Sequence, residues 1–201
     1  MDILKQCAIS FESLMQTQYH FLAGSKQTLI DFTLYFAKEH FMHLNGLHKL
    51  TDIQQLQRQR KDKIPDMILN DEITYELIQK SSFFSEIENR LLLFPLLENA
   101  LDNNELIIKY KQGFTPGTRI SAQYILIYQH SDTLLHLFID RADDSNIFCG
   151  KSFFGRTDTK YTKGQQTFKI LQKTKINLST NTSILLIDKL KQKEPYPLPR
   201  I

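Results

Sequence analysis

The spacing of apolar residues along the chain changes from helical to alternating and back. Between residues 2 and 16 apolar side chains recur every three or four positions, which predicts an amphipathic helix. Two alternating runs follow within residues 19–36, separated by a turn at 24–26, and this pattern is typical of a β-hairpin. Helical spacing then returns up to about residue 103, and alternation takes over again from residue 105.

Three helical segments are predicted after the hairpin. A polar helix begins near Leu50 and ends before Pro65, because proline cannot continue a helix. Residues 70–80 open with Asn-Asp-Glu, which is a helix-capping signal. Ser82 with Ser85 and Glu86 marks another start, the apolar residues from Ile87 to Leu101 are dense enough for a buried helix, and Pro95 is expected to kink or restart it.

The second half of the chain predicts five or six short strands with short connections, which is the pattern of an antiparallel meander. We therefore expect the α+β class, in which an N-terminal hairpin and helices pack on a C-terminal antiparallel β-sheet. On this prediction residues 1–201 form a single domain. It comprises a mainly helical half with the hairpin (1–103), a sheet half (104–190) and an extended proline-rich tail (191–201).

The composition favours a globular protein of the cytoplasm. Hydrophobic residues make up 41% of the chain, enough for one sizeable core. Cys7 and Cys149 are too few and too far apart for a disulfide framework or a thiolate zinc site, which favours a reducing compartment. No run approaches the roughly 18 apolar residues of a transmembrane helix, so we expect no membrane partner.

Charge is distributed unevenly, although the net charge is only +3. Residues 150–201 hold 11 Lys and Arg but only three carboxylates, whereas residues 1–100 are slightly acidic. A basic segment suits a polyanion such as a nucleic acid, because each neutralised phosphate releases counterions. A lysine-rich face that only keeps the protein soluble explains the same count.

Three of the six histidines lie within residues 40–48, around Gly46. Zinc would need three or four ligands at fixed geometry, and neither an HExxH order nor a nearby cysteine is present, so we expect no metal and no cofactor. An acid–base role needs one imidazole, and His43 is the best candidate because apolar neighbours frame it where a strand should give way to a helix. His40 and His48 are expected to be surface or packing residues. A buried histidine bonded to a backbone carbonyl is the alternative for His43.

A second group of polar residues lies within residues 149–171, where cations, hydroxyls and aromatic rings are interleaved. Cations and hydroxyls bind phosphate oxygens, aromatic rings stack on unpaired bases, and cations also stabilise a phosphorane. An exposed hairpin over a buried phenylalanine pair is the alternative. Gly150 and Gly155 form no P-loop, so ATP or GTP chemistry is not expected.

Three segments together resemble the phage-associated nuclease-like domains of the barnase–EndoU–colicin E5/D–RelE superfamily. The first, LIDFTLYFAKEHFMHLNGL, carries an F-x-H-L-x-G-L signature after a strand, and the others are EIENRLLLFPLLENAL and GKSFFGRTDTKYTKGQQTFKIL. The resemblance runs over roughly residues 28–190. Two positions depart from the family pattern, since Lys151 stands where proline or arginine is common and Arg90 where lysine is commoner.

The resemblance implies a metal-independent endoribonuclease fold, with helices against an antiparallel sheet and RNA across the sheet. It implies that His43 is the acid or base and that Ser152 donates a hydrogen bond to phosphate. Arg90 and Lys151 would hold the phosphate or stabilise the transition state. Four further residues are expected to bind substrate: Phe154, Arg156, Lys160 and Lys163.

The leading hypothesis is therefore an RNase or RNase-like toxin, encoded by a mobile element, that cleaves RNA by attack of the 2′-hydroxyl. A cognate immunity or antitoxin protein would then be a partner. The main alternative is a non-catalytic module on the same scaffold that binds RNA or a protein. A metal-dependent hydrolase built on the histidines ranks third.

Overall fold

The computed structural model describes residues 2–26, 28–115, 117–143 and 145–190. The α-helices within these ranges are α1 Ile3–Met15, α2 Phe41–Leu44, α3 Gln54–Gln57, α4 Ile64–Leu69, α5 Tyr75–Gln79, α6 Glu88–Leu93 and α7 Leu97–Asn103. The strands are β1 Thr17–Ser25, β2 Thr28–Tyr35, β3 Leu106–Lys109, β4 Tyr124–His130, β5 Thr133–Arg141, β6 Ile147–Arg156, β7 Gln166–Asn177 and β8 Thr182–Asp188. Short 3₁₀ helices lie at Lys38–His40, Leu47–Lys49, Lys61–Lys63, Phe84–Glu86, Phe94–Leu96 and Gln112–Phe114.

The strands of the described ranges form one sheet, in the order β1-β2-β6-β5-β4-β3-β7-β8. Because β1 also pairs with β7, the pairings close into a ring of seven strands, and β8 extends β7 outside that ring. The short β2–β6 pairing is parallel, and the other pairings of the ring are antiparallel. The predicted meander runs from β3 to β6, after which β7 returns to β3 and β1. The α+β class with its largely antiparallel sheet is confirmed.

The opening helix and the hairpin lie where the sequence predicts them. Asp2 caps α1, since its carboxylate accepts hydrogen bonds from the backbone N–H groups of Leu4 (2.7 Å) and Lys5 (3.1 Å). β1 and β2 pair antiparallel on either side of a turn at Lys26, whose φ is +48°. The hairpin joins the sheet itself, because β1 pairs with β7 and β2 with β6.

The helices that follow the hairpin are shorter than their patterns predict. The prediction of a polar helix that continues up to Pro65 is wrong, because α3 spans only four residues. Pro65 instead lies in the first turn of α4, where its missing N–H is not needed. Thr74, rather than Asn70, caps α5. Pro95 restarts the chain as expected, since it lies in the 3₁₀ turn between α6 and α7.

Two apolar clusters lie on opposite faces of β5. Leu135 and Leu137 face the main core, which fills the space between the helices and the sheet. Phe138 faces a smaller group, which we call the aromatic cluster, formed by Ile108, Tyr110, Ile125, Phe138, Phe154 and Tyr161. The candidate site lies beside these clusters, because its lining includes residues of β6 and Tyr161 of the aromatic cluster.

The predicted halves of the chain are not separate layers, because the hairpin of residues 1–103 and the strands of residues 104–190 share one sheet. That residues 1–201 form a single domain stays a prediction. The proline-rich tail expected at 191–201 lies outside the described residues.

Candidate active site

The short helix α2 presents His43 to a cleft. The other residues of α2 are buried in the main core, so the helix is fixed and the half-buried His43 is its most accessible member. The change from strand to helix that was expected at Gly46 occurs earlier, because β2 ends at Tyr35 and His43 is already helical. Gly46 follows α2 in the left-handed conformation, with a φ of +87°.

The imidazole of His43 lies among cations. Lys61 Nζ donates a hydrogen bond to His43 Nε2 over 3.0 Å, and because an ammonium only donates, Nε2 carries the lone pair and Nδ1 the proton. The ring centroid of His48 lies 4.6 Å from that of His43. Burial, followed by the nearby His48 and Lys61, lowers the pKa of His43 to about 4. His43 is therefore neutral at pH 7, which is the form that accepts a proton.

Arg90 enters the cleft from α6. Its guanidinium donates a hydrogen bond to Ser152 Oγ (3.0 Å) and lies 4.9 Å from the centre of the Phe154 ring. Gly46 makes room for the side chain, since a Cβ at this position would lie 3.0 Å from Arg90 Cδ. Burial lowers the pKa of Arg90, but a guanidinium remains charged in proteins. A half-buried cation bonded to a neutral hydroxyl favours an anionic ligand.

Lys151 and Ser152 are placed by a β-bulge in β6. Phe138 pairs with Ser152 and Ile139 with Gly150, so Lys151 is the additional residue between two paired positions. A bulge interrupts the alternation of a strand and re-aims its side chains, and both Lys151 and Ser152 line the cleft. Ser152 Oγ accepts from the guanidinium of α6, so its own hydrogen is available for a ligand.

The cleft has a volume of about 730 Å³ and is lined by all four predicted catalytic residues, His43, Arg90, Lys151 and Ser152. Lys49 and Arg119 add two further cations to its described lining. Glu86 is the carboxylate in that lining, and it pairs with Lys49 at 3.1 Å. The cleft therefore carries an excess of positive charge, which suits a phosphodiester.

The model of one protein family, described as phage-Barnase-EndoU-ColicinE5/D-RelE like nuclease4, matches residues 3–190. The chain belongs to this family. The superfamily expected from the three motifs is thereby confirmed, and the family name describes a nuclease-like domain. The match begins at residue 3, whereas the resemblance of the motifs began near residue 28, so the family domain includes α1 and β1 as well. No curated protein and no solved structure matches the chain.

Two of the residues predicted to bind substrate, Phe154 and Arg156, are engaged in contacts within the protein. Phe154 is 8% exposed within the aromatic cluster, where its ring is packed against Phe138 (5.4 Å between centroids) and covered by Arg90. Arg156 forms an ion pair with Asp158. Because the Phe154 ring is packed within the aromatic cluster and also faces the guanidinium of Arg90, it supports that side chain.

Two of the predicted cations, Arg156 and Lys160, lie near Tyr161 at the border of the cleft. Lys160 Nζ is 5.7 Å from the ring centre of Tyr161, which itself lines the cleft. Arg156, Lys160 and Lys163 are not part of the described lining. Their roles stay predictions for an RNA that extends beyond the cleft.

Several groups near His43 were not found from the sequence. His48, expected to be a surface or packing residue, lines the cleft, and its Nδ1 donates to the carbonyl of Met42 over 3.3 Å. Lys61 and Arg119 come from polar segments that carry no motif. The ring of His40 packs edge-on against that of Tyr35 (5.4 Å between centroids), and its Nδ1 accepts the backbone N–H of Ala37 (3.0 Å).

The described parts of the chain hold no group of three or more His, Cys, Asp or Glu residues that could bind a metal ion. The three clustered histidines are engaged separately, with a backbone amide, a lysine and a backbone carbonyl. Among the helices of residues 2–26, 28–115, 117–143 and 145–190, none is both long and apolar enough to cross a membrane.

Proposed function

We propose that this protein is a metal-independent endoribonuclease that cleaves RNA by attack of the 2′-hydroxyl on the adjacent phosphate. The observation that carries the proposal is the convergence of His43, Arg90, Lys151 and Ser152 on one cationic cleft. Membership of a nuclease-like family supports it.

His43 serves as the general base in this reaction. Its Nε2 lone pair removes the proton of the 2′-hydroxyl, which takes the place of Lys61 as the donor to that nitrogen. The 2′-oxygen attacks phosphorus, the bond to the 5′-oxygen breaks, and the leaving oxygen takes up a proton from water, while the proton held by His43 returns to solvent. The products are a 2′,3′-cyclic phosphate and a 5′-hydroxyl.

The cations of the cleft stabilise the charge that develops on the phosphorane. Arg90 and Lys151 approach the cleft from α6 and from the bulge of β6, and the Ser152 hydroxyl donates to a phosphate oxygen. Because Arg90 is held by Ser152 and by the Phe154 ring, little reorganisation is needed when the charge forms.

The test is to incubate the purified protein with total RNA in EDTA, beside the variants His43→Ala and His20→Gln. His20 is the matched control, because it lies on β1 and pairs with Asp31 (2.7 Å) outside the described cleft lining. We expect the wild type and His20→Gln to cleave in EDTA and His43→Ala to lose about 100-fold or more of the rate. An oligonucleotide with a single 2′-deoxy position should resist cleavage at that position.

Other outcomes would contradict the proposal. RNA that is bound with a steep salt dependence but never cleaved would identify the chain as a non-catalytic binding module. Cleavage that EDTA abolishes and zinc restores would point to a metal-dependent hydrolase.

We further propose that the protein acts as a toxin, with RNA of the host cell as its target. Expression of the wild type in bacteria should arrest growth and fragment cellular RNA, whereas His43→Ala should not. A co-encoded immunity protein would be recognised by its ability to restore growth. Arrest of growth by His43→Ala would contradict a toxin mechanism based on RNA cleavage.

A further inference from the structure

An exposed phenylalanine stands in the lining of the cationic cleft. Phe83 is 38% exposed and immediately precedes the 3₁₀ helix Phe84–Glu86, whose Glu86 also lines the cleft. A single exposed phenylalanine is unremarkable on a protein surface, but the position of this one, in a cleft lined by Arg90 and Lys151, is informative.

The turn that presents Phe83 is held firmly. The carboxylate of Asp52 accepts hydrogen bonds from the Ser81 hydroxyl, the Ser82 hydroxyl and the Ser82 backbone N–H. The backbone N–H of Phe83 in turn donates to Ser81 Oγ over 3.1 Å. These bonds lower the pKa of Asp52 to about 2, so the carboxylate is ionised and keeps its acceptor role at neutral pH. The ring is therefore presented from a fixed backbone.

A cation and a second apolar residue line the same cleft as the ring of Phe83. Arg119 and Ile120, from the segment between β3 and β4, line it together with Phe83, and Ile120 packs on the aromatic cluster. Proteins bind single-stranded nucleic acids with this combination of an aromatic ring and cations, because the phosphate backbone contacts the cations while a base stacks on the ring.

We propose that Phe83 is a stacking platform for one unpaired base of the substrate, and that the substrate is therefore single-stranded RNA. A base inside a duplex is stacked on both sides, so its face is not accessible to the ring. The inference rests on the proposed function, because it names the class of RNA that the same cleft accepts.

The experiment compares Phe83→Ala and Phe83→Tyr with the control Phe114→Ala. Phe114 is a suitable control because it is 54% exposed and also lies on a 3₁₀ helix, but it is outside the described lining. The dissociation constant is measured with a short 2′-O-methyl oligonucleotide that cannot be cleaved, and with versions in which each base is removed in turn. The rate of cleavage is measured on the same RNA sequence in single-stranded and duplex form.

We expect Phe83→Ala to weaken binding of the single strand about 5- to 100-fold, whereas Phe83→Tyr and Phe114→Ala remain near the wild type. Removal of one particular base should weaken wild-type binding by a similar factor and leave Phe83→Ala unchanged. Duplex RNA should be cleaved at least tenfold more slowly than the single strand. Equal thermal midpoints for the variants would show that the loss is not a folding defect.

The failures of the two proposals can be distinguished. If the wild type neither binds nor cleaves RNA, the proposed function itself is wrong. If the wild type cleaves RNA but Phe83→Ala binds as well as the wild type, or duplex is cleaved as fast as the single strand, the stacking platform is wrong and the proposed function stands. Weak binding by Phe83→Tyr as well as Phe83→Ala would also contradict the platform, because tyrosine keeps the ring.

Discussion

The chemistry of His43 depends on residues that sequence reasoning could not associate with it. Its own segment indicates an imidazole held by apolar neighbours, which leaves both an acid and a base role open. Burial, the nearby ring of His48 and the contact with Lys61 hold it neutral. Because the ring is neutral at pH 7, its Nε2 lone pair is free to accept a proton and it holds no proton there to donate as an acid.

The first prediction concerns the titration of His43. In the wild type its pKa should be near 4, because burial, His48 and Lys61 disfavour the charged ring. As a base is inactive when protonated, kcat/KM should rise with pH through this value and then be level towards neutral pH. Replacing Lys61→Gln removes one cation and should raise the pKa of His43, which moves the acid limb to higher pH.

The measurements are an NMR titration of the imidazole resonances and the pH profile of kcat/KM. The control is Lys63→Gln, an exposed lysine of the same 3₁₀ helix, which should leave both unchanged. A wild-type His43 that titrates at or above 6.5, or a Lys61→Gln variant with the same pKa as the wild type, would contradict this account.

The second prediction concerns Gly46. Alanine at this position must adopt a φ of +87°, and its Cβ would lie 2.9 Å from Ile87 and 3.0 Å from Arg90. We expect Gly46→Ala to cost about 1–3 kcal/mol of unfolding free energy and to lower kcat/KM by displacing the guanidinium. Urea denaturation and kinetics measure both. Gly113→Ala is the control, since a Cβ there meets nothing within 4 Å; equal losses in the two variants would disprove the argument.

At the scale of elements, α7 is fastened to the sheet by a buried lysine. Lys173 of β7 is fully buried, and its Nζ donates to the carbonyls of Leu101 (2.7 Å) and Asn104 (2.8 Å) at the end of the helix. These carbonyls would otherwise lack helical partners, and a cation at a helix C-terminus complements its dipole. An interior lysine in the middle of a strand is thus a helix cap.

The third prediction is that Lys173→Met destabilises the protein. The loss should be about 1.5–3 kcal/mol at pH 7, because the buried carbonyls lose a charged donor. Burial lowers the pKa of Lys173 to about 8 from its ordinary 10.5. The unfolded chain therefore binds more protons between these values, and this group makes the wild-type unfolding free energy rise with pH from about 8 to 10.5.

Urea denaturation across this pH range measures both effects. In Lys173→Met the rise should be smaller by the contribution of this lysine. Lys169→Met, which changes an exposed lysine of the same strand, should keep the wild-type stability and its pH dependence. A Lys173→Met variant as stable as the wild type at pH 7 would show that the cap contributes nothing.

For the whole molecule, the charge of a segment does not reveal where that charge acts. The basic residues 150–201 suggest an RNA-binding face, yet several of their cations are used internally. Lys173 caps α7, Lys175 pairs with Glu98 and Asp102, and Lys189 pairs with Glu105. The described cleft lining takes its cations from four separate parts of the chain, and of these only Lys151 lies within residues 150–201.

The fourth prediction follows from this distribution. Replacing Arg119→Gln or Lys151→Gln should weaken binding of a single-stranded oligonucleotide. If each side chain contacts one phosphate, each replacement should also reduce the slope of log K against log salt by about 0.7. Lys189→Gln removes the same charge outside the described lining and should leave the slope unchanged. Binding titrations from 50 to 200 mM salt, about the range in which such slopes are resolved, measure it; equal slopes for all variants would contradict a cleft-centred site.

The sequence by itself determined the α+β class, the opening helix, the hairpin, most strand positions and the family. These features depend on local periodicity and on motifs that are contiguous in the chain. The same local signals placed His43, Arg90, Lys151 and Ser152 among the candidate residues. They misjudged the helix before Pro65, because a polar segment carries little apolar periodicity to set its ends.

Only the tertiary structure decided which side chains meet. The return of β7 to β1 and β3 closes the ring, and the packing of α6 on β6 brings Arg90 to Ser152, 62 residues away. Arg119 and Phe83 reach the cleft, and Lys61 reaches His43, by contacts that no local pattern indicates. Long-range packing selects such neighbours, and neither periodicity nor composition encodes it in a single chain.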